Sequence, residues 1–163
     1  MVLTKYFRKN ISKKLVSLVF WPDRILVNQL FKTQAGFWID VEPYILMDSK
    51  SSTNAIGETI LNFLNKRSYI IQTPKFNPNE NKINQRLKAA KCKTEKEFMN
   101  EAMHVQVSLK ENILSFTPTK NGGHKGDGRG FSELVELSSN INFTIDSDEI
   151  GKAVLQIKEK CVF

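Results

Sequence analysis

The side chains able to do acid–base or metal chemistry are few in this sequence. It contains only two histidines, His104 and His124, and two cysteines, Cys92 and Cys161. Neither histidine has a second His or Cys at the spacing of a zinc site. A general base also needs a positioned partner, which the sequence does not show. We therefore predict no catalytic residue, no metal ligand and no bound cofactor.

Two carboxylates, Asp40 and Glu42, fall on one face of a predicted strand. Paired acids at this spacing could perform acid–base work or hold a hard cation. The same alternation is typical of the solvent-facing side of a half-buried antiparallel strand. We favour the second interpretation.

Residues 121–130 form a glycine-rich segment that also carries His124, Lys125, Asp127 and Arg129. Successive backbone N–H groups in such a loop can hold a phosphate. However, the spacing is not that of a phosphate-binding G-x-x-x-x-G-K-[ST] loop, and no helix is predicted after it. A surface loop between strands is the favoured interpretation, with a protein-contact loop and a phosphate site as alternatives.

The positive charge of the chain is concentrated near its N-terminus. The formal net charge is +7, and residues 1–35 contain seven basic side chains and one acidic one. Such a basic segment could be a solvated surface, a contact for an acidic protein or a contact for nucleic acid. Residues 15–21 are apolar but too few to span a membrane. We predict that they form a buried strand and that the protein is cytoplasmic.

The predicted strands are short apolar or alternating runs. They cover residues 15–21, 25–31, 36–47, 104–109, 113–117, 134–137 and 141–145. Pro43 requires a bulge or an edge position in its strand, because proline cannot donate a ladder hydrogen bond.

The predicted helices follow polar caps. They cover residues 56–67, 83–91 and 94–99, and a terminal helix capped by Ser147 or Asp148. Two of them carry Ile-Gly in the first turn, at Gly57 and Gly151. Glycine inside a helix costs about 1 kcal/mol relative to alanine. The matched glycines therefore predict a close backbone approach, unless their correspondence is a coincidence.

These elements predict one α+β domain over residues 1–163, built from an antiparallel sheet with helices packed on it. Its 163 residues and 40% hydrophobic content suit a single core. Residues 1–14 are the basic N-terminal segment of this domain. Two cysteines do not make a disulfide framework, and Cys161 is predicted to lie in the core.

Several segments together resemble bacterial immunity proteins of contact-dependent growth inhibition systems. They are Phe20 to Arg24, Gly36 to Pro43, Ile56 to Leu61, Lys66 to Ser68 and Ile150 to Ala153. The resemblance implies a cytoplasmic protein without enzymatic activity that binds the toxic C-terminal domain of a secreted effector. It carries over no functional residue.

The predicted partner is therefore a toxin domain with an acidic face, and no small-molecule substrate is expected. The predicted contacts combine the basic N-terminal residues with the glycine-rich loop. They are Lys13, Lys14, Arg24, Lys120, His124, Lys125, Asp127 and Arg129. The alternative function is a nucleic-acid-binding accessory domain that uses the basic N-terminal segment.

Overall fold

Seven strands form one antiparallel sheet in the computed structural model, which describes residues 12–75 and 84–163. The strands are β1 (Lys13–Phe20), β2 (Arg24–Lys32), β3 (Trp38–Asp48), β4 (Met103–Lys110), β5 (Ile113–Asn121), β6 (Phe131–Glu133) and β7 (Ser139–Asn142). Their order is β3-β2-β1-β4-β5-β6, and β7 pairs with the first half of β5. The basic residues 1–11 and the predicted helix start at Ile83 lie outside the described residues.

Four α-helices accompany the sheet in this part of the chain. They are α1 (Thr53–Leu64), α2 (Gln85–Ala89), α3 (Glu95–Met99) and α4 (Ser147–Lys158). Each begins after a residue whose side chain accepts a backbone N–H of the first turn, as N-cap residues do. These caps are Ser52, Asn84, Thr94 and Asp146. The predicted α+β class, with helices on an antiparallel sheet, is confirmed.

The prediction for Pro43 is confirmed in both of its parts. Strand β3 lies at one edge of the sheet, where it pairs with β2. The register shifts between Asn28 and Gln29, opposite the stretch that contains Pro43. An edge position removes the need for the N–H group that proline lacks.

Three local predictions are wrong. Residues 134–137 are not a strand, because a 3-10 helix covers Val135–Leu137 and the strand lies earlier, at Phe131–Glu133. The cap of α4 is Asp146 rather than Ser147 or Asp148. Helix α1 ends at Leu64, so its last turn does not include Lys66 or Arg67.

One face of the sheet packs against α1 and α4. This core joins alternate residues of four strands to one stripe of each helix, as expected from strand and helix periodicity. Its fully buried side chains include Leu18, Ile60, Phe63, Phe116 and Ile150. Cys161 is partly buried and packs against this cluster.

Helices α1 and α4 cross at their paired glycines, as predicted. A Cβ atom on Gly57 would overlap the carbonyl group of Ser147, and one on Gly151 would overlap that of Thr53. The backbone of each helix thus packs directly against the glycine of the other helix, where a side chain would not fit. The Thr53 hydroxyl also donates to the Asp148 carboxylate beside the crossing.

The short helices α2 and α3 cover part of the opposite face. Phe98 is fully buried there, and its ring meets that of Trp21 edge to face at 5.0 Å between centroids. The Trp21 indole N–H donates to the carbonyl oxygen of Phe98 at 2.9 Å. No helix of the described residues is long and apolar enough to cross a membrane.

Candidate functional site

The predicted contact residues lie at two opposite ends of the sheet. We call the end where β1 begins and β4 turns into β5 the lysine end, since Lys13 and Lys110 are paired there. The opposite end, where β1 turns into β2 and β5 leads into residues 121–130, is the loop end. Strand β1 separates the two by about 23 Å, from its length and a rise of about 3.3 Å per residue.

Six of the eight predicted residues lie at the loop end. They are Arg24, Lys120, His124, Lys125, Asp127 and Arg129. Lys13 and Lys14 lie at the lysine end. The structure therefore does not bring all eight together in one patch, although the sequence prediction treated them as one set.

The glycine-rich loop is closed by its own backbone hydrogen bonds. The N–H of Gly122 donates to Gly130, and that of Gly130 donates to Gly123, at 2.8 and 2.9 Å. The side chain of Asn121 donates to the carbonyl oxygens of Met99 and Ala102, which fixes the start of the loop against the α3–β4 connection.

This hydrogen bonding weakens the phosphate-site interpretation. The N–H groups of Gly122, Gly123, Arg129 and Gly130 already donate to acceptors within residues 121–130. A phosphate cradle needs such groups free and pointing at the ligand. The side chains of Lys125, Asp127 and Arg129 are exposed, and their predicted role in partner binding stays a prediction.

Arg24 is held by contacts within the protein. Its Nε donates to the carbonyl oxygen of Ala90 at 2.9 Å, and its guanidinium lies over the Trp21 ring and pairs with Asp23. The side chain is 21% exposed. Arg24 thus fixes the end of α2 to the sheet, and its predicted role in partner binding stays a prediction.

A cleft of about 500 Å³ opens beside Arg24 at the loop end. It is lined by Asp23, Arg24, Leu46, Met47, Asp48, Lys91 and Glu97. Three carboxylates and two cations share this lining, so the cleft is polar and of mixed charge. Neither histidine is among the lining residues.

Lys14 caps the end of α1. Its ammonium group donates to the carbonyl oxygen of Leu64 at 2.6 Å. A cation at this position satisfies a terminal carbonyl group and interacts favourably with the helix dipole. The side chain is therefore occupied by an intramolecular contact, and its predicted role in binding stays a prediction.

His104 is buried and uncharged at neutral pH. Its Nε2 lies 2.9 Å from the Ser17 hydroxyl oxygen, and its ring stacks on Phe131 with 4.8 Å between centroids. Desolvation by burial, with the nearby charge of Arg86, lowers the pKa of His104 to about 4. It is therefore a structural residue rather than an accessible base.

The two carboxylates of β3 do not form a paired site. Asp40 accepts a hydrogen bond from the Tyr44 hydroxyl at 2.7 Å, whereas Glu42 is exposed. Partial burial and this bond to Asp40 raise the pKa of Tyr44. Among the described residues, no three His, Cys, Asp or Glu side chains gather where they could hold a metal ion.

Burial of His104 predicts a pH-dependent stability. Its pKa is lower in the folded protein than the usual value of about 6.5, so the unfolded chain binds a proton first as pH falls. Stability is thus complete above about pH 6.5 and is lost as pH falls toward 4. We expect His104 to lower the free energy of unfolding by about 2 kcal/mol between pH 7 and pH 5.

Urea unfolding at these two pH values, compared between the natural chain and a His104→Gln variant, measures this contribution. The variant should be less stable at pH 7 but should lose less stability on acidification. An equal acid-induced loss in both proteins would contradict a buried neutral histidine.

Two lysines at the lysine end, Lys32 and Lys110, are not among the predicted contact residues. In the sheet Lys13 lies directly opposite Lys110, although 97 positions separate them along the chain. Lys32 is the last residue of β2 and lies on the next strand. Only the strand register brings these lysines together, and no local pattern in the sequence reveals that register.

Comparison with known proteins places the fold. One similar structure is a protein of unknown function from Neisseria meningitidis, 13% identical, with a TM-score of 0.69 and 95% of this chain and 98% of that chain covered. Another is a CdiA-CT/CdiI toxin and immunity complex from Yersinia pseudotuberculosis, 11% identical, with a TM-score of 0.69. That match covers 93% of this chain and 98% of that chain. At these identities the similarity shows a common fold. A search of curated proteins gave no match.

A family comparison identifies the sequence itself. The model of the family described as CDI immunity protein matches residues 14–161, which run from β1 to beyond the end of α4. The resemblance found in the sequence is thereby confirmed over nearly the whole chain. The chain belongs to the CDI immunity protein family, whose name refers to contact-dependent growth inhibition.

Proposed function

We propose that this chain binds the toxin domain of its cognate contact-dependent growth inhibition effector and neutralises it by direct contact. The observation that carries this proposal is the family match over residues 14–161. The described residues agree with a binding role. Asp40 of β3 and the buried histidine are engaged within the fold, while charged side chains are exposed at both ends of the sheet.

Neutralisation without catalysis is part of the proposal. A binding inhibitor must cover or distort the toxin, so one molecule can inactivate only one toxin. An enzyme that modified the toxin would need an activated nucleophile or a positioned general base. His104, which could serve as a base, is buried against Ser17 and Phe131.

The cytoplasm is the proposed site of action. A toxin delivered into the cell must be met there before it reaches its target. The two cysteines are both unpaired, as is usual in a reducing compartment.

Co-expression with the toxin domain encoded beside this chain tests the proposed function. Growth should be inhibited by the toxin alone and restored when this chain is present, and the two proteins should co-purify. A toxin domain from another strain serves as the control and should remain active.

Titration of the purified toxin domain then tests the mechanism. Toxin activity should fall in proportion to added protein and vanish at equimolar amounts, because binding is stoichiometric. Neutralisation of a large excess of toxin would contradict direct inhibition. Continued toxicity beside a folded, soluble chain would contradict the function itself.

A further inference from the structure

The lysine end presents a row of like charges across three neighbouring strands. Lys13 on β1 is directly opposite Lys110 on β4, and the β1–β2 register, continued by two residues from Leu15 and Leu30, places Lys32 on the other side of Lys13. Neighbouring strands lie about 4.8 Å apart, so the three side chains are adjacent. We call Lys32, Lys13 and Lys110 the lysine row.

The row lies on the sheet face opposite α1 and α4. Alternation along β1 puts Val16 and Leu18 against those helices, so Lys13 and Leu15 project to the other side. Alternation along β4 does the same for Lys110, because Val107 faces the helices. All three lysines therefore extend from one surface.

This arrangement opposes folding of the free protein. Like charges directly opposite each other on paired strands are destabilising. No ion pair joins Lys13, Lys32 or Lys110 to a carboxylate among the described residues. Asp40, which lies opposite Leu30 in the next row, is engaged by the Tyr44 hydroxyl.

The neighbouring side chains suit contact with a polar macromolecule. Ser108 and Ser115 are paired in the next row and are only partly buried. Ile113, directly opposite Lys110, is 38% exposed. Small polar groups with one apolar side chain and a set of cations form a surface that an anionic partner can cover.

The loop end is electrically mixed by comparison. Arg24 pairs there with Asp23, and the exposed Asp127 lies between Lys125 and Arg129 in the loop. Its cleft is lined by charges of both signs. At the lysine end one exposed acid, Glu111, follows Lys110 in the β4–β5 turn, but no carboxylate lies between the three lysines of the row. Charge complementarity to one acidic surface is therefore stronger at the lysine row.

We propose that the lysine row is the surface that binds the toxin domain, and that it fits an acidic face of that domain. This inference rests on the proposed function and names the surface that performs it. Repulsion within the row lowers the stability of the free protein, and an acidic partner relieves it on binding. Opposite charges also accelerate association, because they steer the encounter.

A double neutralisation tests the inference. In the Lys13→Gln/Lys110→Gln variant we expect association with the toxin domain encoded beside this chain to be about tenfold slower, and less dependent on salt. The free variant should melt at a higher temperature than the natural protein, because cross-strand repulsion is removed. Stopped-flow association at two salt concentrations and thermal unfolding measure both effects.

Two further variants make the comparison local. Lys50→Gln/Lys96→Gln removes two positive charges from exposed lysines that belong neither to the lysine row nor to the predicted contact residues. This variant should leave the association rate nearly unchanged. Lys125→Gln/Arg129→Gln removes two positive charges from the glycine-rich loop. It should slow association less than Lys13→Gln/Lys110→Gln does. The single variant Lys110→Gln repeats the test with a smaller change if the double variant folds poorly.

Each outcome decides between surfaces or functions. Unchanged association in the lysine-row variants, or a larger effect of the loop variant, overturns the inference while the proposed function stands. Failure of the natural protein to bind the toxin overturns the proposed function and the inference together. Binding of a short single-stranded RNA or duplex DNA by the lysine row, with toxin association unaffected, assigns the row to nucleic acid instead.

Discussion

Replacement of Gly57 by alanine is expected to lower the free energy of unfolding by about 3 kcal/mol or more. A Cβ atom at this position would overlap the carbonyl group of Ser147 in the first turn of α4. The obstacle is backbone, so no side-chain rotation can relieve it. The two helices would have to separate, which would open the core between them and the sheet.

The sign of this effect is opposite to that for an ordinary helix. In a solvent-exposed helix interior, Gly→Ala stabilises by about 1 kcal/mol because it reduces backbone entropy in the unfolded chain. Urea unfolding monitored by circular dichroism at 222 nm, near the usual helical minimum, measures the change. A neutral or stabilising Gly57→Ala variant would contradict the close crossing of α1 and α4.

Gly128→Ala is the matched control. A Cβ atom on Gly128 meets no neighbouring atom, and its backbone does not have a positive φ. We expect a change within about 0.5 kcal/mol, the usual range for surface substitutions. Gly151→Ala should behave like Gly57→Ala, since its Cβ would overlap Thr53. The two losses should not add, because either one already separates the helices.

The helix crossing is the part of the fold that the sequence predicted best. Glycine inside a helix lowers helix stability, so two glycines at matched positions in two amphipathic helices indicate a packing requirement. The edge position of β3 was predictable for a similar reason, because Pro43 lacks a backbone donor. Both inferences depend on residues that permit few conformations or contacts.

Predictions that depended on weaker local preferences were less accurate. Residues 134–137 are apolar enough for a strand, but the ladder along β5 ends when Leu134 donates to Pro118. The chain then turns, and Leu137 donates back to Leu134. Tertiary pairing decides such a segment, and its hydrophobicity alone does not.

The candidate surface was only partly accessible from the sequence. The excess of positive charge near the N-terminus pointed to Lys13, but its neighbours Lys32 and Lys110 come from other strands. Strand register is set by the combined packing of a whole sheet face. Composition left a solvated surface, an acidic protein and nucleic acid as alternatives, and the acidic partner followed only with the family resemblance. The strand register was needed to show which lysines lie together.

Replacement of Phe98 by alanine is expected to lower the free energy of unfolding by about 4 kcal/mol, within the usual range for a buried phenylalanine. Its side chain is fully buried beneath α2 and α3. Its ring is nearly perpendicular to that of Trp21, and the guanidinium of Arg86 lies 4.4 Å from its ring centre. Removal of the ring would leave a cavity and deprive both neighbours of their packing surface.

Thermal and urea unfolding of Phe98→Ala should be compared with those of Phe163→Ala. Phe163 is 61% exposed, so the same chemical change there should cost less than about 0.5 kcal/mol. Similar losses in the two variants would contradict the burial of Phe98.

A functional comparison separates the two ends of the sheet face that lies opposite α1 and α4. The buried residues around Phe98, among them Trp21 and Leu26, hold α2 and α3 near the loop end, whereas the lysine row lies at the other end of β1. At a temperature where Phe98→Ala remains folded, its association rate with the toxin domain should match that of the natural protein. A slower rate from folded protein would show that the toxin contacts the α2–α3 side.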